Sequence, residues 1–268
     1  LYAKDTPLSQ TEAMKLGSMV HLKVLEPKRY KDNVIVMDLD KRTTEGKIQS
    51  LLNEIIYAGK TVISPDQEAK ILVMEKNLRA HPVIPRIFAE SKFEVSMFWE
   101  NDLGFLSRGR VDGVVEAPSK SLAGLLSQVL PYSEEEVLES VVVWDVKTAD
   151  SAEEGDFSRA AYNRGYHIQA GSYASGMQKI HGKNVIFMFI VVENKAPYQV
   201  DFQILDPMDM QLGFDTYMKL LTKLQEHTKN PKMWGGYAVQ KKRFLQLPKY
   251  AHYDAEGFEG SESNGTEG

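Results

Sequence analysis

Apolar residues recur along the chain with two different periods, and turn-forming residues separate the segments. Spacings of three and four residues predict helices over 9–27, near 46–58, over 65–79, over about 157–180 and over about 207–228. Alternating or continuous apolar runs predict strands at 92–100, 104–117, 141–148, 184–193 and 198–205. No element is predicted for residues 28–46. This order of helices, a β-hairpin and further strands and helices predicts an α/β sandwich with a mixed central sheet.

The strand predicted at 141–148 carries two charges within an apolar run. Asp145 and Lys147 are two residues apart, so both side chains lie on one face of the strand. Asp112 occupies another predicted strand, and if the two strands are neighbours these three side chains converge at the edge of the sheet. Close carboxylates repel each other unless a divalent cation lies between them, and a lysine beside that cation stabilises charge on a phosphoryl group. Taken alone, this short pattern fits a surface ion pair at the end of a strand as well as a metal-dependent site, and the other motifs of the chain decide between them.

Composition excludes several kinds of site. The 268 residues include no cysteine, so disulfides, a thiolate nucleophile and a cysteine-bound zinc ion or iron–sulfur cluster are excluded. No run of residues is apolar enough to span a membrane, and no signal peptide is evident, so we expect a cytoplasmic protein. Because the chain begins with Leu1, we expect it to be a fragment of a longer polypeptide.

The net charge of −5 is concentrated at the end of the chain. Residues 251–268 hold five acidic residues and no Lys or Arg, and their Gly-, Ser- and Glu-rich composition predicts a disordered tail. Residues 1–250 are therefore neutral overall, and we expect them to form a single domain. Within it, residues 118–140 contain two prolines and an acidic helical segment, and we interpret them as an insertion.

Five short motifs occur in a fixed order along the predicted elements. They are G-x-x-x-H (Gly17, His21), a Glu on the first strand of the hairpin (Glu94), G-x-x-D (Gly109, Asp112), D-x-K (Asp145, Lys147) and Q-x-x-x-Y (Gln169, Tyr173). Together they resemble the RecB-family branch of the PD-(D/E)xK nucleases. The local sequences LGSMVHLKVLEPKRY, RVDGVVE and VVWDVKTAD are most similar to RecE-type exonucleases, also called exonuclease VIII. The resemblance covers about residues 14 to 205 and implies a restriction-endonuclease-like core.

This resemblance implies a metal site built by the first four motifs. Asp112 and Asp145 would bind Mg²⁺, with Mn²⁺ as its substitute, and His21 would reach the metal from its helix. Lys147 would position the attacking water. In a compact member of the family the strand of Asp112 would turn almost directly into the strand of Asp145, which is why residues 118–140 are interpreted as inserted.

The remaining motif residues have less certain roles. Glu94 matches an additional acid of the family, and Glu68 on the preceding helix is the competing candidate. Gln169 and Tyr173 would organise the lysine or contact DNA, or would only pack their helix. Basic residues and one histidine near these motifs, or in the cluster at 240–249, are candidate DNA contacts: Arg108, Arg110, Arg164, His167, Lys241, Lys242 and Arg243.

The resemblance implies a Mg²⁺-dependent exonuclease that digests one strand of linear double-stranded DNA, 5′-to-3′, and exposes single strands for recombination by annealing. It also implies DNA ends as substrate, a homo-oligomer forming a tetrameric ring, and a single-strand annealing protein as partner. Cas4-like and AddB-like nucleases carry cysteines for an iron–sulfur cluster, whereas this chain has none. Two competing hypotheses keep the same fold: an endonuclease, and a catalytically inactive DNA-binding or assembly module.

Overall fold

The structure is a computed structural model and describes residues 11–38 and 43–230. Its helices are α1 (Glu12–Leu25), α2 (Pro27–Asn33), α3 (Thr44–Ile56), α4 (Pro65–Ala80), α5 (Ile84–Glu90), α6 (Lys120–Leu126), α7 (Glu134–Glu139), α8 (Glu154–Asn163), α9 (Tyr166–His181) and α10 (Pro207–Lys229). Its strands are β1 (Val34–Val36), β2 (Thr61–Ile63), β3 (Lys92–Glu100), β4 (Leu106–Val115), β5 (Val141–Ala149), β6 (Val185–Glu193) and β7 (Val200–Ile204).

The chain divides into two units. The first, Leu1–Lys223, contains both sheets. Of the second, Leu224–Gly268, the structure describes only residues 224–230. The predicted tail at 251–268 and the basic cluster with Lys241, Lys242 and Arg243 lie outside the described residues. Among the described residues, no helix is long and apolar enough to cross a membrane.

A five-stranded mixed sheet in the order β3-β4-β5-β6-β7 forms the centre of the first unit. β5 and β6 are parallel, and the other neighbouring strands are antiparallel. Helices cover both faces, which is why Val141 through Trp144 of β5 are all fully buried. Val142, Trp144 and Val146 pack towards one layer of helices (α1, α4, α5, α6 and α7), and Val141 and Val143 pack towards α8 and α9. The predicted strands and the mixed α/β sheet are confirmed.

The single helix predicted over 157–180 is wrong. The segment forms α8 and α9, which are separated at Arg164 and Gly165. Gly165 has φ +70°, a left-handed conformation that glycine adopts without steric cost and that ends a helix. The apolar period continues across this break, so periodicity alone did not reveal it.

Regular structure also occurs where little was predicted. Residues 28–46 include most of α2 and the strand β1, which pairs in parallel with β2. The segment interpreted as an insertion, 118–140, contains α6 and α7, and their Leu122, Leu126 and Val137 are buried in the core. These two helices therefore form part of the layer that covers one face of the sheet.

Helices α9 and α10 contact each other through their backbones. A Cβ atom at Gly213 would overlap the carbonyl oxygen of His167, and one at Gly171 would overlap the backbone of Phe214. Only glycine permits this approach, which fixes α9 against α10. The contact matters for function because α9 carries Gln169.

We predict that Gly213→Ala destabilises the protein by about 2 kcal/mol or more, because the added methyl group meets backbone that cannot move away. Gly124→Ala is the matched control, since a Cβ there meets nothing closer than the Glu134 carboxylate at 3.6 Å. In this helical position alanine should stabilise by roughly 0.5–1 kcal/mol. Urea unfolding of the two variants measures the difference, and equal stability would contradict the close crossing of α9 and α10.

Candidate active site

The candidate site lies where β4 and β5 diverge. Their ladder ends at the pair Gly113 and Trp144, and Asp112 and Asp145 follow immediately at the same end. The N–H of Val146 donates to Asp112 Oδ2 at 2.7 Å. This side-chain oxygen takes the place of the backbone carbonyl that would accept the bond if the ladder between β4 and β5 continued. The adjacency of the two strands is confirmed. The predicted position at the edge of the sheet is wrong, because β3 lies outside β4 and makes β4 and β5 interior strands.

Three side chains from three elements meet at this point. His21 on α1 is hydrogen-bonded through Nε2 to Asp112 Oδ1 at 2.7 Å, and the same nitrogen is 3.3 Å from Glu94 Oε1. Glu94 lies between Phe93 and Val95, which pair with Gly113 and Val111 on either side of Asp112. One ligand atom of each residue lies within 4.8 Å of the others. An imidazole nitrogen and two carboxylate oxygens form a donor set suited to a divalent cation.

Glu94 has an uncommon backbone conformation and a buried carboxylate oxygen that accepts no hydrogen bond from the described residues. Its backbone has φ +55°, a left-handed conformation that costs a non-glycine residue roughly 1 kcal/mol or more and that clusters at functional sites. Its buried Oε1 accepts no hydrogen bond from the described residues, because the nearby His21 nitrogen is already bonded to Asp112. Burial raises the pKa of this carboxyl. A buried oxygen without a donor, beside two other ligand atoms, fits a metal ion.

Asp145 belongs to an adjoining cluster with Lys147 and Gln169. Its Oδ2 forms an ion pair with Lys147 Nζ at 2.6 Å, Lys147 donates to Gln169 Oε1 at 2.8 Å, and Gln169 Nε2 donates to Asp145 Oδ1 at 2.8 Å. The lysine also lies 4.4 Å from the centre of the Tyr166 ring. Asp145 Oδ2 is buried and, apart from this ion pair, has no hydrogen-bond partner among the described residues. The ligand atoms that lie within 4.8 Å of one another belong to His21, Glu94 and Asp112, and Asp145 is outside that group.

Negative charge accumulates in this pocket. Burial raises the pKa of Asp145 to about 6, and the charge of Asp112 adds to the effect while Lys147 opposes it. Burial lowers the pKa of His21, but the hydrogen bond to Asp112 and the charges of Asp112, Glu94 and Asp145 outweigh it, so that the pKa is raised overall. The Asp145 shift thus reflects burial beside a second carboxylate, and the His21 shift reflects the acids around its ring.

A cleft of about 800 Å³ opens beside the cluster. It is lined by one side of α1, by the end of β5 from Val146 onward, and by Arg164 and Tyr166. α1 lies against β5 because Gly17 has no side chain: a Cβ there would be 2.6 Å from Thr148 Oγ1. His21 is one turn further along α1, so the G-x-x-x-H spacing brings the helix close to the sheet and delivers the histidine to the acids.

The fold separates the two glutamates that competed for the role of additional acid. Glu94 lies in the cluster, whereas Glu68 accepts a hydrogen bond from the Tyr30 hydroxyl and is 3.7 Å from Lys23 Nζ. Tyr173 packs its ring against β4 beside Gly109. Tyr166 was not predicted, although it precedes Gln169 by three residues and so shares its helix face.

The candidate DNA contacts that the structure describes have different surroundings. Arg164 is exposed at the cleft and donates to the Tyr166 hydroxyl, and Arg108 is exposed on β4. Arg110 pairs with the Glu94 carboxylate. His167 is buried and stacked on Tyr162, so its assignment as a contact to the phosphate backbone is wrong for this conformation.

Comparison with known proteins gives the same fold. A family model described as a PDDEXK-like domain matches residues 136–241, which include Asp145, Lys147 and Gln169. A crystal structure of a "putative exonuclease" from Eubacterium rectale has a TM-score of 0.55 to this chain, with 13% sequence identity over 91% of this chain and 79% of that one. This chain has the PDDEXK-like fold. The crystal structure of SSO0001 is 16% identical over 82% of this chain and 87% of that one, with a TM-score of 0.31. No curated protein matches the sequence.

We predict that Mn²⁺ stabilises the wild-type protein, since a ligand at a hundredfold excess over its Kd adds about 2.7 kcal/mol to the free energy of unfolding. Glu94→Gln should abolish most of this gain. Glu68→Gln, the matched control, should keep it. Thermal unfolding with Mn²⁺ and with a chelator measures the effect. If the Glu68 variant lost the stabilisation by Mn²⁺, or the Glu94 variant kept it in full, the assignment of Glu94 as a metal ligand would be contradicted.

The raised pKa of Asp145 predicts a pH-dependent stability in the metal-free protein. Between pH 3.8, its ordinary value, and about pH 6 the folded state retains a proton that the unfolded state releases, so this carboxyl's contribution to stability falls as pH rises. The free energy of unfolding of Asp145→Asn relative to wild type should therefore rise by about 2–3 kcal/mol from about pH 4 to about pH 7.

Asp150→Asn is the control for this experiment. Hydrogen bonds from Lys195 and Asn194 lower the pKa of the exposed Asp150 carboxyl, so its variant should show a small slope of the opposite sign. Urea unfolding at a series of pH values measures both. If the difference in free energy of unfolding between Asp145→Asn and wild type did not change with pH, the pKa of Asp145 would not be raised in the folded protein.

Proposed function

We propose that this protein is a Mg²⁺-dependent exodeoxyribonuclease that digests one strand of linear double-stranded DNA. The observation that carries the proposal is the pair of adjoining clusters on a PDDEXK-like fold: His21, Glu94 and Asp112 beside Asp145 and Lys147. Metal-assisted phosphodiester hydrolysis uses a divalent cation and a cationic donor at the same phosphate, and these two clusters offer both positions.

His21 Nε2, Glu94 Oε1 and Asp112 Oδ1 would hold the metal. The other oxygens of the two acids are engaged, Glu94 Oε2 with Arg110 and Asp112 Oδ2 with the Val146 N–H. This leaves one set of converging ligand atoms and supports a single cation. When bound, the ion acts as a Lewis acid on the phosphodiester and offsets the charge that develops there. Mn²⁺ should substitute, because it accepts the same nitrogen and oxygen ligands.

Lys147 is the proposed catalytic residue for the attacking water. Asp145 and Gln169 fix its ammonium group from two sides, and the Tyr166 ring restricts it from a third. An ammonium group held in this way can orient a water molecule and donate to the phosphate oxygen as negative charge builds up, without first reorganising. Asp145 and Gln169 are positioning residues in this mechanism.

Action on DNA ends is supported by two likenesses. The motifs from Gly17 to Tyr173 are most similar to those of RecE-type exonucleases, and the Eubacterium rectale protein of the same fold is described as a "putative exonuclease". From the first likeness we infer 5′-to-3′ digestion, exposure of single strands for recombination, and a single-strand annealing protein as partner. The cleft beside Lys147, with Arg164 exposed at its rim, is the proposed path of the DNA strand.

An inactive DNA-binding module is the second candidate, and the geometry disfavours it. Loss of catalysis removes selection for Asp112, Asp145 and Lys147, yet all three are present and their side chains are held by specific hydrogen bonds. A module that only bound DNA would have no need for a buried, unpaired Glu94 oxygen.

We predict that Lys147→Ala lowers the rate of DNA hydrolysis by at least about a thousandfold, because it removes a group that acts in the transition state. Binding of Mg²⁺ and DNA should change little. Lys183→Ala, on the exposed loop before β6, is the matched control and should retain full activity. The assay uses end-labelled linear duplex and covalently closed circular DNA, with and without Mg²⁺.

The two DNA substrates distinguish the modes of cutting. An exonuclease releases label from the linear DNA only and leaves the circle intact. Cutting of the closed circle would identify an endonuclease instead. Hydrolysis by the Lys147 variant at the wild-type rate would contradict the assignment of the lysine.

A further inference from the structure

Arg110 binds one carboxylate oxygen of Glu94 and leaves the other free. The two residues lie diagonally across β3 and β4, since Arg110 pairs with Ser96 in the register of the strands. The Nε–H group of Arg110 forms an ion pair with Glu94 Oε2. Oε1 lies 3.3 Å from His21 Nε2 and accepts no hydrogen bond from the described residues. In this arrangement Oε1 is the oxygen that Glu94 can offer to a metal.

The guanidinium group of Arg110 is fixed from a second side. Glu26, which lies between α1 and α2, has its Oε1 3.7 Å from a terminal nitrogen of Arg110. Arg29 donates to both oxygens of Glu26, at 2.8 and 2.5 Å. A single exposed ion pair would hold Glu94 only weakly, and the Arg110 side chain is 50% exposed. Because Glu26 and Glu94 engage different nitrogens of one planar group, its orientation is defined.

Asp112 also offers only one oxygen to the cluster. Its Oδ2 accepts the N–H of Val146, and its Oδ1 is hydrogen-bonded to His21 Nε2. The two acids therefore supply one converging oxygen each, and His21 supplies one nitrogen. The donor to Asp112 is a backbone group, whereas the donor to Glu94 is a side chain. Substitution of Arg110 can therefore release the second oxygen of Glu94 alone.

We propose that Arg110 is a positioning residue that determines which divalent cation the site accepts. Its role rests on the metal site of the proposed function. Ca²⁺ takes six to eight oxygen ligands and often binds a carboxylate through both oxygens. Mg²⁺ and Mn²⁺ suit octahedral sites, in which a carboxylate supplies one oxygen. By keeping Glu94 Oε2 occupied, Arg110 limits the number of protein ligand atoms and disfavours Ca²⁺.

The same restriction keeps coordination positions open for the reaction. An octahedral ion bound through one atom each of His21, Glu94 and Asp112 would retain three further positions. Water and a phosphate oxygen can occupy these positions. If Glu94 bound through both oxygens, it would take one of them. Arg110 therefore affects both the choice of metal and the space left for substrate without being a metal ligand itself.

The test compares the affinities of the full chain for Mn²⁺ and Ca²⁺, measured by isothermal titration calorimetry. Loss of the Arg110 charge strengthens the binding of both cations, so the ratio of the two Kd values reports on the coordination by Glu94. The wild-type protein should bind Mn²⁺ at least about a hundredfold more tightly than Ca²⁺. Arg110→Gln should reduce this ratio by about tenfold or more.

Two further variants separate the charge of Arg110 from its position. Arg108→Gln removes an exposed arginine two residues away on the same side of β4, so it should change both Kd values alike and leave their ratio unchanged. Arg110→Lys keeps a cationic donor for Glu94 Oε2 and should keep the ratio within about threefold of wild type. In crystals with Ca²⁺, Arg110→Gln should show both Glu94 oxygens at about 2.3–2.6 Å from the ion.

Four outcomes would each overturn the role of Arg110. They are an unchanged ratio in Arg110→Gln, an equal fall in Arg108→Gln, a fall in Arg110→Lys as large as that in Arg110→Gln, and Ca²⁺ bound through both Glu94 oxygens in the wild-type protein. DNA hydrolysis does not enter the measurement. A protein that shows the expected ratios but cuts no DNA would overturn the nuclease activity alone, whereas a wild-type protein that binds neither cation would overturn the metal site as well.

Discussion

The convergence of three carboxylates in a largely buried pocket is the constraint on which the site depends. Glu94, Asp112 and Asp145 meet where two interior strands separate, and burial, together with the charge of Asp112, raises the pKa values of Glu94 and Asp145. Lys147 pairs with Asp145, Arg110 pairs with Glu94, and His21 is hydrogen-bonded to Asp112. Burying carboxylates this close together costs folding free energy, and a bound cation between the ligand atoms of His21, Glu94 and Asp112 would offset part of that cost.

Backbone close to the site is shaped to maintain this convergence. The ladder between β4 and β5 stops so that the Asp112 carboxylate can accept the Val146 N–H, and Glu94 takes a left-handed conformation. Gly17 lets α1 approach β5, and the glycine crossing of α9 and α10 fixes the helix that carries Gln169. Backbone strain and close packing therefore occur near the acids, and backbone strain of this kind is commonly found at functional sites.

The sequence predicted which residues converge at the site better than it predicted their detailed geometry. Asp112, Asp145 and Lys147 were recognisable because charges interrupt apolar strands, and this signal is local. The choice between Glu94 and Glu68 depended on which element reaches His21, a tertiary property that no spacing along the chain encodes. The break at Gly165 was missed because the apolar period runs through it. The exposure of the aliphatic side chains on α3, such as Leu51 and Ile55, was equally invisible, since their period fits a buried helix as well as an exposed one.

The ligand set is the central claim, and crystals soaked in Mn²⁺ test it most directly. Anomalous diffraction should show one peak per chain, coordinated by His21 Nε2, Glu94 Oε1 and Asp112 Oδ1, with the Lys147 ammonium group still held by Asp145 and Gln169. A peak at another position, or one coordinated by Asp145 without Glu94, would contradict the account.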